Sequence, residues 1–203
     1  MKQFSSLGGR PVLSWAVDAC RPVSEGVVLV VPAHTEPGDN PGADAVVVGG
    51  ATRAESVRCG LEAVPAEAEV IVVHDAARPL APPALFADVL EALNEDGVVG
   101  VVPGLAPSDT IKVVDGNMNV TSTLDRASLV AVQTPQAFRA DVLRAAHART
   151  ANSPDAVATD DAMLVEASGW RVRVVEGHPD NIKITTPEDL ATAERLLAAA
   201  QDA

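Results

Sequence analysis

Tyrosine is absent from this 203-residue chain and aromatics make up only 2% of it, so the core must be assembled from Val, Leu, Ile and Ala within a 47% hydrophobic fraction. An aliphatic core of that kind suits a buried parallel sheet covered by helices on both faces. Cysteine is scarce as well. Cys20 and Cys59 are too few for a disulfide framework or a zinc site and read as core thiols in a reducing compartment. No apolar run approaches a membrane span, and Met1 to Arg10 hold no signal-length stretch, so a cytoplasmic protein with no membrane partner is expected. Basic residues are outnumbered, 15 Lys and Arg against 28 Asp and Glu, and a formal charge of -13 argues against non-specific binding to nucleic acid or an anionic membrane. An anionic substrate would have to meet a local basic cluster.

What is present is a regular alternation. Val-rich runs at Val27 to Val31, Ala45 to Val48, Val70 to Val73 and Val98 to Val102 are each followed by turn residues or a helical pattern, which reads as one α/β domain spanning 1–203. A Pro/Gly/Asp-rich loop is expected over 32–44. Thr52 and Glu55 have capping-box spacing ahead of a helix over Arg53 to Val64. Pro82 to Leu93 and Asp160 to Ala167 are further helices, and Thr186, Pro187 and Asp189 open the last one. Residues 109–126 break the pattern. There Ile111 to Val114 and Met118 to Ser122 flank Asp115-Gly116, a hairpin signal, and their polar outward positions predict an antiparallel arm whose two free edges a second subunit would protect.

Chemistry is expected where strands end. Val70 to Val73 runs into His74-Asp-Ala-Ala-Arg-Pro79, and ligands of open α/β sheets bind beyond the carboxyl ends of the strands. Asp75 could hold Mg²⁺ and Arg78 a phosphate; the alternative is a surface turn ion pair. His74 precedes Asp75 on the strand, faces the other way and reads as structural. Gly49-Gly50 lead into the capped helix beside Arg53 and Ser56, a place where a ligand can approach backbone N–H groups or where a plain strand-to-helix turn needs room. Asp180 to Ile184 is expected as a short strand, in which Lys183 alternates with Ile182 and Ile184 and so faces either solvent or a cavity. Thr110, Arg126, Thr134 and Thr159 stand near turns or strand ends and could serve a phosphate and hydroxyls or act as caps.

Taken in order, Gly49-Gly with Arg53 and Ser56, His74-Asp-Ala-Ala-Arg-Pro79, Asp109-Thr110, Asp125-Arg126, Gln133-Thr-Pro-Gln136, Thr159-Asp160 and Asp180-Asn-Ile-Lys183 closely resemble the 2-C-methyl-D-erythritol 4-phosphate cytidylyltransferase family over essentially the whole chain. The resemblance implies a Rossmann-like nucleotidyltransferase fold, a mostly parallel sheet with helices on both faces and a protruding β-arm, in a homodimer joined by exchanged arms. It implies transfer of a cytidylyl group from CTP to the polyol phosphate, with Mg²⁺, on the non-mevalonate route to isoprenoids. By motif position Gly49, Gly50 and Ser56 would contact the cytidine, and Asp75 would lie by the metal and triphosphate. Arg78, Thr110, Thr134 and Thr159 would line the polyol phosphate pocket with Lys183. Lys183 and Arg126, the latter reaching across subunits, would position the attacking phosphate.

The family opens with a strand and a glycine-rich loop carrying an arginine, ahead of a Pro-Lys-Gln-Phe-like segment. Here Met1-Lys2-Gln3-Phe4 comes first, so Lys2 matches the family's second transition-state cation while strand and loop have no counterpart. The expectation is that the natural product starts further upstream. Ribitol 5-phosphate cytidylyltransferase is the nearest rival, from which the second alanine of His74-Asp-Ala-Ala-Arg-Pro79 leans away. A non-catalytic nucleotide-binding module is the other, and the joint presence of Lys2, Arg126 and Lys183 argues against it.

Overall fold

The computed structural model describes residues 2–35, 42–150 and 159–201; the centre of the expected loop over 32–44 lies outside them. Strands β1 (Ser6–Leu7) and β2 (Arg10–Pro11) make a small hairpin before α1 (Val12–Cys20). Next come β3 (Val28–Val31), β4 (Ala45–Val48), α2 (Arg53–Ala63), β5 (Val70–Val73) and α3 (Pro83–Ala92). Strand β6 (Gly100–Leu105) leads through β7 (Lys112–Val114) and β8 (Val120–Thr123) to β9 (Ala131–Val132) and β10 (Gln136–Arg139). The chain closes with α4 (Ala140–Thr150), α5 (Asp161–Ala167), β11 (Val172–Glu176) and α6 (Pro187–Gln201).

The larger sheet has the order β11-β6-β10-β5, with β9 also on β6. Strand β11 is parallel to β6, and β10 is antiparallel to both β6 and β5, so β5, β6 and β11 share a direction that β10 reverses. Strands β3 and β4 pair in parallel as a separate ribbon, and among the described residues neither is hydrogen-bonded into the larger sheet.

Alternation along the strands decides which helix each side chain meets. On β10, Ala137 joins Val89, Leu93 and Val101 under α3, whereas Phe138 joins Ile71, Leu143, Leu164 and Val165 under α4 and α5. Helices therefore cover both faces. A second layer packs Leu13 and Val17 of α1 on Leu29 and Val31 of β3. Leu7, Val12, Ile184 and Ala193 tie α6 to the first hairpin. Cys20 and Cys59 are both free and half-buried rather than core residues; burial still pushes the Cys20 thiol up to about 12, which makes it unreactive.

Local signals explain most boundaries. Thr52 accepts from the Glu55 N–H while the Glu55 carboxylate accepts from the Thr52 N–H, closing the expected capping box. Strand β6 begins two residues later than expected because the Val98 N–H is used in the turn after α3, and it continues to Leu105 because β11 pairs along it as far as Gly104. The arm hairpin forms, but not by a two-residue turn at Asp115-Gly116. The Asp115 carboxylate accepts from the N–H groups of Asn117 and Asn119, and Met118 takes the left-handed conformation at φ 65, giving a longer loop. Asp180 to Ile184 is not a strand: Asp180 lies in a turn closed by the Asn181 N–H on the His178 carbonyl, and the Ile184 N–H donates to the Ala77 carbonyl, which moors the segment beside the end of β5. No helix among the described residues is long and apolar enough to cross a membrane.

Candidate active site

A cavity of about 360 Å³ lies between the end of β3 and the end of β5, lined by Gln3, Leu29, Val31, Arg53, Asp75 and Lys183 among others. Strand β5 stops at Val73 because the backbone turns: the Arg78 N–H donates to the Asp75 carbonyl. That turn presents the Asp75 carboxylate to the cavity with three cations around it. Lys183 Nζ is 2.8 Å from Asp75 Oδ2, Arg53 Nε is 3.6 Å from Oδ1, and Arg78 Nε is 3.8 Å from Oδ2. Burial pushes the Asp75 carboxyl up, but the Lys183 hydrogen bond and the charges of Lys183, Arg53 and Arg78 outweigh it and hold the group below its ordinary value of 3.8. Asp75 is therefore ionised at neutral pH.

Behind the carboxylate, neutral hydrogen bonds fix the turn. The Asp75 N–H donates to Thr134 Oγ1 at 2.9 Å, Thr134 Oγ1 is 3.1 Å from His74 Nδ1, and His74 Nε2 is 3.1 Å from the Arg78 carbonyl. A carbonyl can only accept, so Nε2 carries the proton and the Thr134 hydroxyl donates to Nδ1. Burial pushes the imidazole down to about 4, which suits this neutral tautomer. His74 is structural, as its alternation with Asp75 implies. Thr134, only 4% exposed, uses its hydroxyl proton and one lone pair in holding Asp75 and His74.

Arg78 and Lys183 are brought together by the 178–184 segment. Arg78 Nη1 donates to the Asn181 carbonyl at 2.6 Å, and Asn181 in turn donates to Gln133 Oε1 and to the Thr134 carbonyl. Gln133 also donates to the His178 carbonyl and accepts from the His178 N–H. This buried amide lattice replaces strand pairing and aims Lys183 at Asp75. Burial lowers the Arg78 guanidinium's pKa despite the opposing charge of Asp75, and its Nε lacks a hydrogen-bond partner.

The other sequence-derived residues fall into two groups. Gly49 and Gly50 follow β4, and a methyl on Gly49 would stand 2.6 Å from Ser56 Oγ and 3.0 Å from Val30, so this glycine admits close packing of the loop on α2. Ser56 donates to the Thr52 carbonyl at 2.9 Å. Lys2 is exposed in the turn Lys2–Phe4, next to the cavity-lining Gln3. Of the site residues expected from sequence, only Asp75 and Lys183 are among the described residues lining the cavity, together with Arg53; the rest, Arg78, Thr110 and Thr134 included, are not. Arg126 is exposed at the base of the arm, donating to the Ser108 carbonyl at 2.8 Å, and Thr159 lies exposed beside Met163.

Residues that motif reading passed over are Asn181 and Gln133 as a lattice, and Asp161 and His147 behind Arg53. Asp160 and Asp161 are adjacent in the sequence, yet Asp160 caps α5 by accepting from the Met163 N–H while Asp161 turns inward. A doubled acid at a helix start was the available signal.

Among the described residues no group of three His, Cys, Asp or Glu side chains could hold a metal ion. One hard carboxylate is nevertheless the usual protein share of a Mg²⁺ site whose other ligands are phosphates and water, so Asp75 fits that role.

A mixed α/β sheet with cations converging on one carboxylate beyond its strand ends defines a nucleotidyltransferase-like protein. The chain belongs to the IspD family, 2-C-methyl-D-erythritol 4-phosphate cytidylyltransferase, whose model matches residues 1–199. A protein of that name from Rhodococcus jostii is 46% identical over 97% of this chain and 86% of its own length. The "Bifunctional enzyme IspD/IspF" of Nitratidesulfovibrio vulgaris is 47% identical over 94% of this chain, which spans about half, 51%, of that relative. The crystal structure of the 2-C-methyl-D-erythritol 4-phosphate cytidylyltransferase from Thermus thermophilus superposes with a TM-score of 0.86 at 38% identity, covering 97% of this chain and 94% of the other.

Proposed function

We propose that this chain transfers the cytidylyl group of CTP to 2-C-methyl-D-erythritol 4-phosphate, giving 4-diphosphocytidyl-2-C-methyl-D-erythritol and pyrophosphate. The observation that carries the reading is the convergence of Lys183, Arg53 and Arg78 on the Asp75 carboxylate, with Asp75, Lys183 and Arg53 lining one cavity and Arg78 buried beside it. In a chain of formal charge -13, such a cluster is the kind of local basic site that an anionic substrate requires. A phosphate oxygen of the polyol phosphate attacks the α-phosphorus of CTP in line; the bond from that phosphorus to the bridging oxygen breaks, and pyrophosphate leaves with the electron pair. No protein nucleophile is needed, so the protein's work is positioning and charge stabilisation.

In this reading Asp75 holds Mg²⁺, which supplies neutralisation of the triphosphate charge. Lys183 and Lys2 steady the reacting phosphates, Arg78 binds the polyol phosphate, and Gly49, Gly50 and Ser56 face the cytidine. Thr110, Thr134 and Thr159 belong to the polyol pocket, Thr134 also keeping the Asp75 turn in place. Arg126 reaches the cavity of a second copy, in a homodimer made by the arm. The arm's exposed Ile111, Val113, Val114, Met118, Val120 and Leu124 support that assembly, since such edges call for cover. A cytoplasmic location follows from the same substrates.

The test is pyrophosphate release from CTP and Mg²⁺ with methylerythritol phosphate or ribitol 5-phosphate supplied separately. Release with the first alone is expected; preference for ribitol phosphate would overturn the substrate, and calorimetric CTP binding without release from either would leave only a binding module. Arg126→Ala should lower turnover on the order of a hundredfold while the melting temperature stays within about 2 °C. Parallel loss of both would remove Arg126 from the site.

A further inference from the structure

Arg53 occupies an awkward place. It is the first residue of α2, where the helix dipole disfavours a cation, yet its guanidinium faces the cavity. Two carboxylates hold it there. Nη1 lies 2.8 Å from Asp161 Oδ2 and Nε lies 3.6 Å from Asp75 Oδ1, so the closer grip comes from Asp161. Burial on its own would lower the Arg53 pKa, but the charges of Asp161 and Asp75 raise it.

Asp161 has no exposure that would explain an acid at this position. It is 1% exposed, and its other oxygen lies 2.9 Å from Nε2 of His147, itself 2% exposed on α4. A carboxylate and an imidazole in a core of Leu143, Leu164 and Val165 are costly to bury, and apolar residues of like volume would serve packing as well or better. The buried pair is therefore accounted for by what it holds. Asp75 already has Lys183 at 2.8 Å and Arg53 at 3.6 Å; without Asp161, the Arg53 guanidinium would be free to close the remaining gap and compete for the oxygens that the nucleotide and its cation need.

The geometry points to Asp161, backed by His147, as the positioning residue that keeps Arg53 at the cavity wall and Asp75 available, an inference that rests on the proposed transfer reaction. Neither residue touches the reacting atoms. Arg53 is the residue through which both act, and Asp161 serves the nucleotide half of the cavity, where α2 begins.

A double-mutant cycle tests this. Asp161→Asn should reduce kcat/KM by about tenfold to a hundredfold, since misplacing a positioned group by about 1 Å costs on the order of a hundredfold, with most of the change in KM for CTP. Arg53→Gln should give a similar loss, and the double variant should be no worse than Arg53→Gln within about twofold, because the two act as one unit. Asp161→Glu should recover part of the activity. Independent losses that multiply, or a loss that only follows the melting temperature, would overturn the assignment. If Asp161→Asn does not fold, His147→Gln carries the same cycle and should again add nothing to Arg53→Gln. A readout free of turnover keeps the two proposals separable: the Arg53 Nη1–H resonance in the ¹⁵N spectrum, the group that faces Asp161, should be slow to exchange in the wild type and lost in Asp161→Asn. An unchanged resonance sinks the positioning role even in an active enzyme, while absence of transfer by the wild type sinks the reaction and leaves the resonance to decide the positioning.

Discussion

Replacing Lys183 by alanine should cut turnover by a factor of about 100 to 1,000, the typical effect of deleting one preorganised donor, and cost the fold only modestly at neutral pH. The side chain is 44% exposed and its ammonium meets the largely buried Asp75 at 2.8 Å, so little packing is lost, and water around the ammonium keeps the contribution of the pair modest. Asp75 would keep Arg53 and Arg78. The acid side of the stability profile should nevertheless change. Burial raises the Asp75 pKa, and the Lys183 hydrogen bond leads the opposing effects that bring it below 3.8. A carboxyl depressed in the folded state stabilises above its unfolded value and loses that contribution as pH falls through the folded one. The wild type should therefore hold a modest advantage over Lys183→Ala at neutral pH, which shrinks as pH falls through the folded value below 3.8. Urea titrations between pH 7 and pH 3, run beside pyrophosphate release, would measure both effects. A melting temperature that collapses with activity would show Lys183 to be a structural residue.

Phe138→Ala should be the most damaging single change to stability, at about 3 to 5 kcal/mol, a large part of the 5 to 15 kcal/mol typical of a domain. The ring is fully buried on β10, which lies between β5 and β6. It packs on Ile71, Leu143 and Val165 and lies over Gly100, where an added methyl would come within 2.7 Å of it. With so few aromatics in the chain, nothing nearby can expand into the space. Denaturant unfolding should show the shift in midpoint without a change in slope; a cost under about 1 kcal/mol would mean that the core collapses around the gap.

Much of the framework could be read before any coordinates, because it rests on local chemistry. Valine runs gave β3, β4 and β5, and the Thr52 and Glu55 pair gave the start of α2. Elements without such marks escaped notice. Helix α1 follows Pro11 with no side-chain cap, and α4 continues directly from β10 at Ala140. Strand β10 was hidden in Gln136-Ala-Phe-Arg139, whose pairing on both sides is wholly non-local. The site was legible in part for the same reason. The strand-end position of Asp75 marked it from the residues alone, and alternation put Lys183 on the face opposite Ile184, but only tertiary structure shows that this face meets Asp75 rather than water. The doubled acid Asp160-Asp161 was the one signal at that corner, and it did not say which acid turns inward or that His147 would meet it, since a buried acid looks like any helix-opening acid until its partner across the fold is known.

The ring of cations around Asp75 sits within a molecule of strongly negative total charge. A polyphosphate in solution is repelled by the whole and attracted only inside about 8 Å, roughly one screening length at physiological ionic strength. Capture thus gains nothing from long-range steering, and discrimination among anions is settled in the last few ångströms of approach, by shape and by the placing of individual N–H groups.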